Sequence, residues 1–174
     1  MNTEKDLIYN QKDIPTKKWR YGFRASASTG CGWVAAYNAL RIMGYYMPPE
    51  KLIRTYQRHL PLFNGPFGTF IAEPAIFFKK QGFPVKISSN RRRFDKIARE
   101  SDACIMFYYW RRKFRLGAHF VCLQYKDGKY IGYNTFSNST GPDNYGISLE
   151  SFIRKQGYFF PVLIAIKNKN SQDQ

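Results

Sequence analysis

Residues 117–136 read GAHFVCLQYKDGKYIGYNTF, two runs rich in aromatic and β-branched residues joined by the link KDGK. Such runs favour β-strands, and Asp-Gly at the centre of a short link is typical of a two-residue hairpin turn. That turn pairs His119 with Phe136 and Val121 with Asn134. Because side chains alternate between the faces of a sheet, His119 and Asn134 are then diagonal neighbours on one face. A slip of one residue would turn Asn134 to the other face.

Helix-forming patterns dominate the chain before this hairpin. The clearest spans Cys31 to Met43, with Thr29 as the predicted N-cap and Gly44 as the residue that ends the helix. Because helices and antiparallel strands occupy largely separate parts of the chain, the predicted fold class is α+β. Further helices are predicted from Pro48 to Arg58, Ala72 to Gln81, Arg91 to Glu100 and Ser148 to Lys155. Further strands are predicted at PVKIS (84–88), ACIMFYYW (103–110) and YFFPVLIAIK (158–167), and a loop at NSTGPDNYG (138–146).

Length and composition indicate one folded domain. The chain has 174 residues, of which 44% are hydrophobic and 18% aromatic, a composition that excludes a disordered chain. We expect a polar N-terminal arm over residues 1–20, one domain over 21–168 and a flexible tail over 169–174. An odd and small number of cysteines, three, argues against a disulfide framework and for a reducing compartment. Without a signal peptide or a membrane-spanning run, the expected location is the cytoplasm, with export that needs no cleaved signal left open.

The net charge of +16 allows several interpretations. Basic residues cluster with aromatic residues in the segments WRYGFR, RRRF and WRRKFR. These segments could form a surface for nucleic acid, for anionic lipid or for an acidic peptide, or a solvated face with no specific partner. No helix-turn-helix, zinc-finger or RNP-like motif supports the nucleic-acid interpretation. The segment WRRKFR leads directly into the hairpin, so its charges could favour acidic residues in a bound peptide.

One thiol lies in a position suited to chemistry. Cys31 stands between Gly30 and Gly32 at the predicted start of a helix, where unpaired N–H groups and the helix dipole lower the pKa of a thiol. The flanking glycines leave room for the backbone of a substrate. The alternative is that Cys31 is a small apolar residue that packs at a helix start. We expect that packing role for Cys104 and Cys122, which lie in apolar strands.

A histidine and an asparagine of the hairpin supply partners for that thiol. His119 can take the proton of Cys31 to form a thiolate–imidazolium pair, and Asn134 can hold the imidazole ring. Nucleophile, base and orienting residue together are typical of cysteine-dependent acyl transfer. The alternative is a hydrogen-bonded histidine with a purely structural role. Asn138 and Asp143 are the orienting residues to consider if the predicted register is wrong.

The sequence resembles the papain-like cysteine peptidases and is most similar to their C39-like group, bacterial domains that include the bacteriocin-leader peptidases. The resemblance covers about residues 25–168 and rests on the CGWVAAYNAL helix, the GT…FFKKQGF segment, the hairpin and the late ISLESFIRKQG helix. It implies a papain-like fold, with N-terminal helices packed on an antiparallel sheet. It also implies that Cys31, His119 and Asn134 form the catalytic triad, with no metal or organic cofactor.

One departure from the family concerns the oxyanion hole. The family usually has a glutamine about six residues before the cysteine, and here Ala25 occupies that position. Candidate replacement donors are the hydroxyls of Ser26 and Ser28, the amide of Gln11 and the backbone N–H of Cys31. Losing one oxyanion donor typically slows catalysis on the order of 10²–10³-fold.

The sequence therefore predicts a cysteine peptidase that hydrolyses a peptide or related amide through a Cys31 acyl-enzyme. A first alternative is a weak or inactive papain-like module that binds a peptide or an acidic partner, which the missing glutamine favours. A second is a basic, nucleic-acid-associated domain whose cysteine and histidine are structural. Binding through several phosphate contacts would weaken steeply with salt, which separates that second alternative from the others.

Overall fold

The computed structural model describes residues 6–59 and 69–169 of the chain. Its α-helices are α1 (Ser26–Thr29), α2 (Cys31–Ile42), α3 (Pro49–His59), α4 (Glu73–Lys80), α5 (Phe94–Arg99) and α6 (Leu149–Gln156). Its strands are β1 (Arg20–Tyr21), β2 (Arg24–Ala25), β3 (Val85–Ser88), β4 (Ala103–Arg112), β5 (Arg115–Lys126), β6 (Lys129–Tyr133), β7 (Asp143–Gly146) and β8 (Phe159–Ile166). Short 3-10 turns cover Gln11–Asp13 and Arg91–Arg93.

A six-stranded antiparallel sheet organises the core, in the strand order β3-β8-β4-β5-β6-β7. Side chains of β5 alternate between its faces, which creates two apolar clusters. Phe120 and Cys122 join the cluster formed with α2, α3 and α4. Val121 and Leu123 join the cluster formed with α5 and α6 on the other face. The predicted α+β fold, with N-terminal helices packed on an antiparallel sheet, is confirmed.

The hairpin of β5 and β6 has the predicted register. Cys122 pairs with Tyr133 and Lys126 with Lys129, so the turn consists of two residues. Asp127 and Gly128 both have positive φ, 52° and 77°, as a turn that matches the twist of the two strands requires. The ladder ends at Tyr133, so Asn134 is the first residue after β6.

Two parts of the sheet were not expected from the sequence. The basic segment before His119 is the tip of a second hairpin: β4 continues to Arg112 and β5 begins at Arg115. Its two-residue link contains no glycine, asparagine or aspartate, and Lys113 adopts a φ of 48°. The long ladder on both sides of the link imposes this conformation on residues that carry no turn signal. Strand β7 likewise lies inside the predicted loop 138–146.

The helix that carries Cys31 begins differently from the prediction. Thr29 is not its N-cap: it ends α1, and Gly30 precedes α2 without a side-chain cap. The two helices are nearly continuous, because the Gly30 N–H donates to the Ser26 carbonyl at 2.8 Å. Gly44, with a φ of 85°, follows the end of α2 as predicted.

The N-terminal residues pack across α2. The amide of Asn38 exchanges two hydrogen bonds with the backbone of Ile8, each 2.9 Å long, and Asp6 forms an ion pair with Arg41 at 2.7 Å. The part of the predicted polar arm that begins at Asp6 therefore packs against the body of the protein through these residues, whereas residues 1–5 lie outside the described residues. Of the predicted tail, only Lys169 is described. None of the described helices combines the length and apolarity needed to cross a bilayer.

A substitution at Gly32 tests how tightly the start of α2 is packed. A Cβ at Gly32 would overlap the hydroxyl of the buried Thr69 and lie 2.5 Å from its Cβ. We expect Gly32→Ala to lower the free energy of unfolding by about 1–3 kcal/mol, because a Cβ so close to the Thr69 Cβ forces Thr69 to shift. Urea unfolding measures the change. Gly141→Ala is the matched control, since its Cβ would meet no atom within 4 Å; equal stability of both variants would contradict this packing.

Candidate active site

The start of α2 meets the sheet at an edge that β6 leaves open. Among the described residues, β6 pairs with β5 only from Cys122 onward, so the earlier part of β5 has β4 as its one neighbouring strand. At this edge the backbone N–H of Phe120 approaches the thiol of Cys31 and opposes the rise of its pKa. The end of the β5–β6 ladder thus creates the space in which a helix terminus and a strand edge come together.

A cavity of about 850 Å³ opens at this junction. Cys31, His119 and Asn134 line it together, as do Gln11 and Ser28 among the predicted oxyanion donors. Tyr108, Trp110 and Tyr158 of the sheet region and Asn10 of the arm, none of them singled out from the sequence, also line it. Residues far apart along the chain therefore share one cavity, as acyl-transfer chemistry requires.

The thiol of Cys31 is half-buried. Desolvation raises its pKa, and three backbone amides, those of Phe120, Gly32 and Cys31 itself, oppose the rise. The same amides that approach the sulfur offer positive dipoles to negative charge developing beside it. Desolvation outweighs them, so the pKa of Cys31 is raised, which favours the protonated thiol over the thiolate.

The imidazole of His119 is held in one tautomer. Its Nε2 lies 2.5 Å from the backbone carbonyl oxygen of Asn134. A carbonyl only accepts hydrogen bonds, so Nε2 carries the proton and Nδ1 presents a free lone pair. Desolvation lowers the pKa of His119, and the bond to Asn134 opposes that change. The ring of Tyr108 packs edge-on to the imidazole, with centroids 5.9 Å apart, and stacks on Tyr158 at 3.9 Å.

These pKa directions correct one expectation. The sequence predicts a thiol with a lowered pKa and a thiolate–imidazolium pair, because it places Cys31 at a helix start. The raised pKa of Cys31 and the lowered pKa of His119 instead favour a neutral thiol and a neutral imidazole. Desolvation by burial outweighs the backbone amides that approach the sulfur.

Asn134 acts on His119 through its backbone and not through its side chain. With a φ of 62°, Asn134 turns out of the sheet and directs its carbonyl at the imidazole. Its side-chain amide binds Gln11: Oδ1 accepts from the Gln11 backbone N–H at 2.8 Å, and Nδ2 donates to the Gln11 Oε1 at 3.1 Å. From the sequence we expect the side-chain amide of Asn134 to hold the imidazole ring. The two residues are neighbours as expected, but the backbone carbonyl of Asn134 makes the contact.

Gln11 connects the N-terminal arm to this turn. Besides its two bonds to Asn134, its Nε2 donates to the carbonyl of Ala27 in α1 at 3.2 Å. The preceding residue, Asn10, donates from Nδ2 to the Ser137 carbonyl at 3.1 Å. The arm thus ties the residues around Asn134 to the helix that precedes Cys31. We call this set of bonds to Gln11 the Gln11 clamp.

The other predicted oxyanion donors fare differently. Ser26 is fully buried, its Oγ accepts from the indole N–H of Trp33 at 3.2 Å, and it does not line the cavity. Ser28 is exposed and lines the cavity. The family's glutamine position, Ala25, precedes α1 and carries no donor in its side chain. The remaining candidate donors are the Ser28 hydroxyl, the Cys31 N–H and the second N–H of the Gln11 amide.

Asn138 and Asp143 are candidates only for a different hairpin register. Asn138 is exposed at the cavity wall, while the carboxylate of Asp143 accepts from the Ser139 hydroxyl at 2.6 Å. Their use depended on a wrong hairpin register, and the predicted register is correct.

Comparison with solved structures identifies the fold. The chain is similar to a double-glycine-motif protease from an AMS/PCAT transporter, solved in complex with the leader peptide, with a TM-score of 0.52 and 15% identity over 79% of this chain and 84% of that one. It is equally similar to the peptidase domain of Streptococcus ComA, a bifunctional ABC transporter of a quorum-sensing pathway, over 79% and 92% of the two chains, with TM-score 0.52 and 15% identity. No protein-family model and no curated protein matches the sequence. The fold is that of the C39 peptidase domains.

Proposed function

Because the chain has the fold of the C39 peptidase domains, we propose that it is a cysteine peptidase that hydrolyses a peptide bond through an acyl-enzyme on Cys31. One observation carries the proposal. Cys31 and His119 line the same cavity, and the carbonyl of Asn134 fixes the imidazole in the tautomer that leaves Nδ1 free to accept a proton. The leader peptide bound to one structural relative supports a peptide as the substrate.

The first half of the reaction begins from the neutral pair. Nδ1 of His119 takes the thiol proton as the sulfur of Cys31 attacks the peptide carbonyl carbon, and the carbonyl oxygen becomes an oxyanion. The N–H of Cys31 and the hydroxyl of Ser28 are the proposed donors to that oxyanion. The tetrahedral intermediate collapses when the C–N bond breaks, and the leaving amine takes the proton from Nδ1. The product is a Cys31 thioester.

The second half releases the acyl group. His119, neutral again, takes a proton from a water molecule as the water oxygen attacks the thioester carbonyl. Collapse of this second intermediate breaks the C–S bond, returns the proton to the sulfur and frees the new carboxyl terminus. Throughout, the carbonyl of Asn134 holds the imidazole and stabilises the positive charge that forms on it.

The main alternative is a papain-like module that binds a peptide and cuts it slowly or not at all. Ala25 at the glutamine position and the raised pKa of the thiol favour it. A nucleic-acid-associated domain has only the net charge in its favour. We also propose that residues 21–168, with the arm that packs on them, act as one domain in the cytoplasm, a location that the three free cysteines support.

The test is a peptide-library digestion in water enriched in ¹⁸O. Mass spectrometry of the products should show new carboxyl termini that carry one ¹⁸O atom, because hydrolysis of the thioester takes its oxygen from water. New termini joined to another amine, without ¹⁸O, would indicate transfer in place of hydrolysis. Peptides that bind and stay intact would support the binding module and contradict the proposal.

Replacing Gln11 tests the Gln11 clamp. We expect Gln11→Ala to lower kcat on the order of 10–10²-fold with little change in KM, because the Asn134 Nδ2 then loses its bond to the Gln11 side chain, one of the two bonds that aim the Asn134 carbonyl at His119. The backbone N–H of Gln11 remains, so part of the clamp survives. Gln11→Glu, which keeps the acceptor for the Asn134 Nδ2, should recover part of the loss. Circular dichroism and unfolding controls exclude a collapsed arm, and an unchanged kcat in Gln11→Ala would contradict the clamp's role.

A further inference from the structure

Positive charge surrounds the mouth of the cavity. Lys12 of the N-terminal arm and three residues at the tip of the β4–β5 hairpin, Arg112, Lys113 and Arg115, line it. We call these four residues the cationic rim. All four are exposed, and none of the described residues that line the cavity is an aspartate or a glutamate.

Among the described residues, no carboxylate forms an ion pair with the cationic rim. The ion pairs seen in that part of the chain are Asp6–Arg41 and Lys86–Glu100, and neither involves a rim residue. Asp13 follows Lys12 in the chain. Arg112 acts electrostatically on Tyr158, and so does Asp143. Its carboxylate, however, already accepts a hydrogen bond from Ser139. Like charges gathered at the mouth of a cavity and left unpaired focus a positive potential into it.

The hairpin tip has no role in the core that would explain these residues. Phe114, between Lys113 and Arg115, is fully exposed, and Leu116 is 67% exposed. Solvated charges on a smooth surface need no partner, but here the charges and an exposed aromatic ring border the cavity that holds Cys31 and His119.

We propose that the cationic rim binds an acidic segment of the peptide substrate, beside the bond that Cys31 attacks; this inference rests on the proposed function. The rim is continuous with the cavity of the thiol and the imidazole, and a peptide supplies both the acyl group and the negative side chains. A nucleic acid supplies negative charge but no acyl group. The rim therefore selects among peptides and raises their rate of association.

The experiment compares two versions of one library peptide that the protein cleaves, with glutamates or with glutamines flanking the cleaved bond. We expect kcat/KM for the acidic version to be about 10–100-fold higher at about 50 mM salt, and the ratio to shrink at about 200 mM salt. The triple variant Arg112→Gln, Lys113→Gln, Arg115→Gln should lose the preference. The matched control Arg91→Gln, Arg92→Gln, Arg93→Gln removes as many charges from a turn that does not line the cavity and should keep it.

Equal cleavage of both versions by the wild-type protein, or a preference retained in the triple variant, would overturn the inference and leave the proposed function intact. A third outcome would assign the rim to nucleic acid. In it, both peptides are cleaved equally, and a fluorescent oligothymidylate binds the wild-type protein and the Arg91–Arg93 control but not the triple variant. If neither peptide is cleaved, the proposed function fails, and the rim is then judged by fluorescence anisotropy. The wild-type protein should bind the labelled glutamate peptide at least about 10-fold more tightly than the glutamine peptide. The triple variant should show no such preference. Equal binding of the two peptides by the wild-type protein would overturn the inference.

Discussion

Cys31→Ala is expected to lower kcat/KM for peptide cleavage on the order of 10⁴–10⁶-fold, because it removes the thiol that forms the proposed acyl intermediate. The sulfur is half-buried at the first residue of α2, so alanine removes one atom from a partly exposed position and should leave the fold intact. Cleavage of the library peptide, followed by separation of its products, measures the loss.

Cys104→Ala is the matched control for that substitution. Cys104 is buried between the sheet and α5, and burial raises the pKa of its thiol to about 12, so it supplies no thiolate. We expect this variant to lose stability, as truncation of a buried side chain does, and to keep its activity when folded. Residual activity of Cys31→Ala above one-hundredth of wild type, after contamination is excluded, would remove Cys31 from the mechanism.

His119→Ala is expected to lower kcat/KM on the order of 10⁴-fold and to regain part of its activity when imidazole is added. The variant loses the Nδ1 that takes the thiol proton, and free imidazole can enter the space that the ring leaves in the cavity. Added imidazole should have no such effect on Cys31→Ala. A small loss, or no response to imidazole, would mean that His119 has a structural role.

The pH dependence of the wild-type protein follows from the same two groups. The pKa of His119 is lowered, so the imidazole remains an unprotonated base below its usual range, and activity falls only as pH falls through that lowered value. The pKa of Cys31 is raised, so alkylation by iodoacetamide should be slower than that of a free cysteine at pH 7 and should increase as pH rises above the usual thiol range. Rapid alkylation below pH 7 would show that the thiolate–imidazolium pair exists after all.

The sequence predicts the register of the β5–β6 hairpin, but it does not predict which atoms of Asn134 contact His119. The turn at Asp127 and Gly128 has a local signal, because both residues adopt positive φ readily, and the turn alone sets which residues of β5 and β6 face each other. Where the ladder ends has no such signal. The strand ends at Tyr133, so Asn134 lies outside the ladder. As a result, the carbonyl of Asn134, and not its side chain, is the partner of His119.

Other parts of the site depend on contacts between distant residues. Gln11 and Asn134 are 123 positions apart, and nothing in the arm's composition indicates that it would bind the turn after β6. The pKa of Cys31 likewise depends on how much of the junction is buried, which the helix start alone does not determine. The tip at Lys113 and Phe114 is a turn without a turn sequence, imposed by the ladders beside it.

The most direct test of the central claim is to trap the acyl group on Cys31. The library peptide that the protein cleaves is prepared as an activated ester ending at the cleaved bond, mixed with the protein and quenched in acid, and the digested protein is mapped by mass spectrometry. The account predicts that the acyl mass appears on the peptide that contains Cys31 and is lost on incubation in buffer, and that no such mass appears in Cys31→Ala. Hydrolysis of the same ester with Cys31 unmodified at every time point would contradict it.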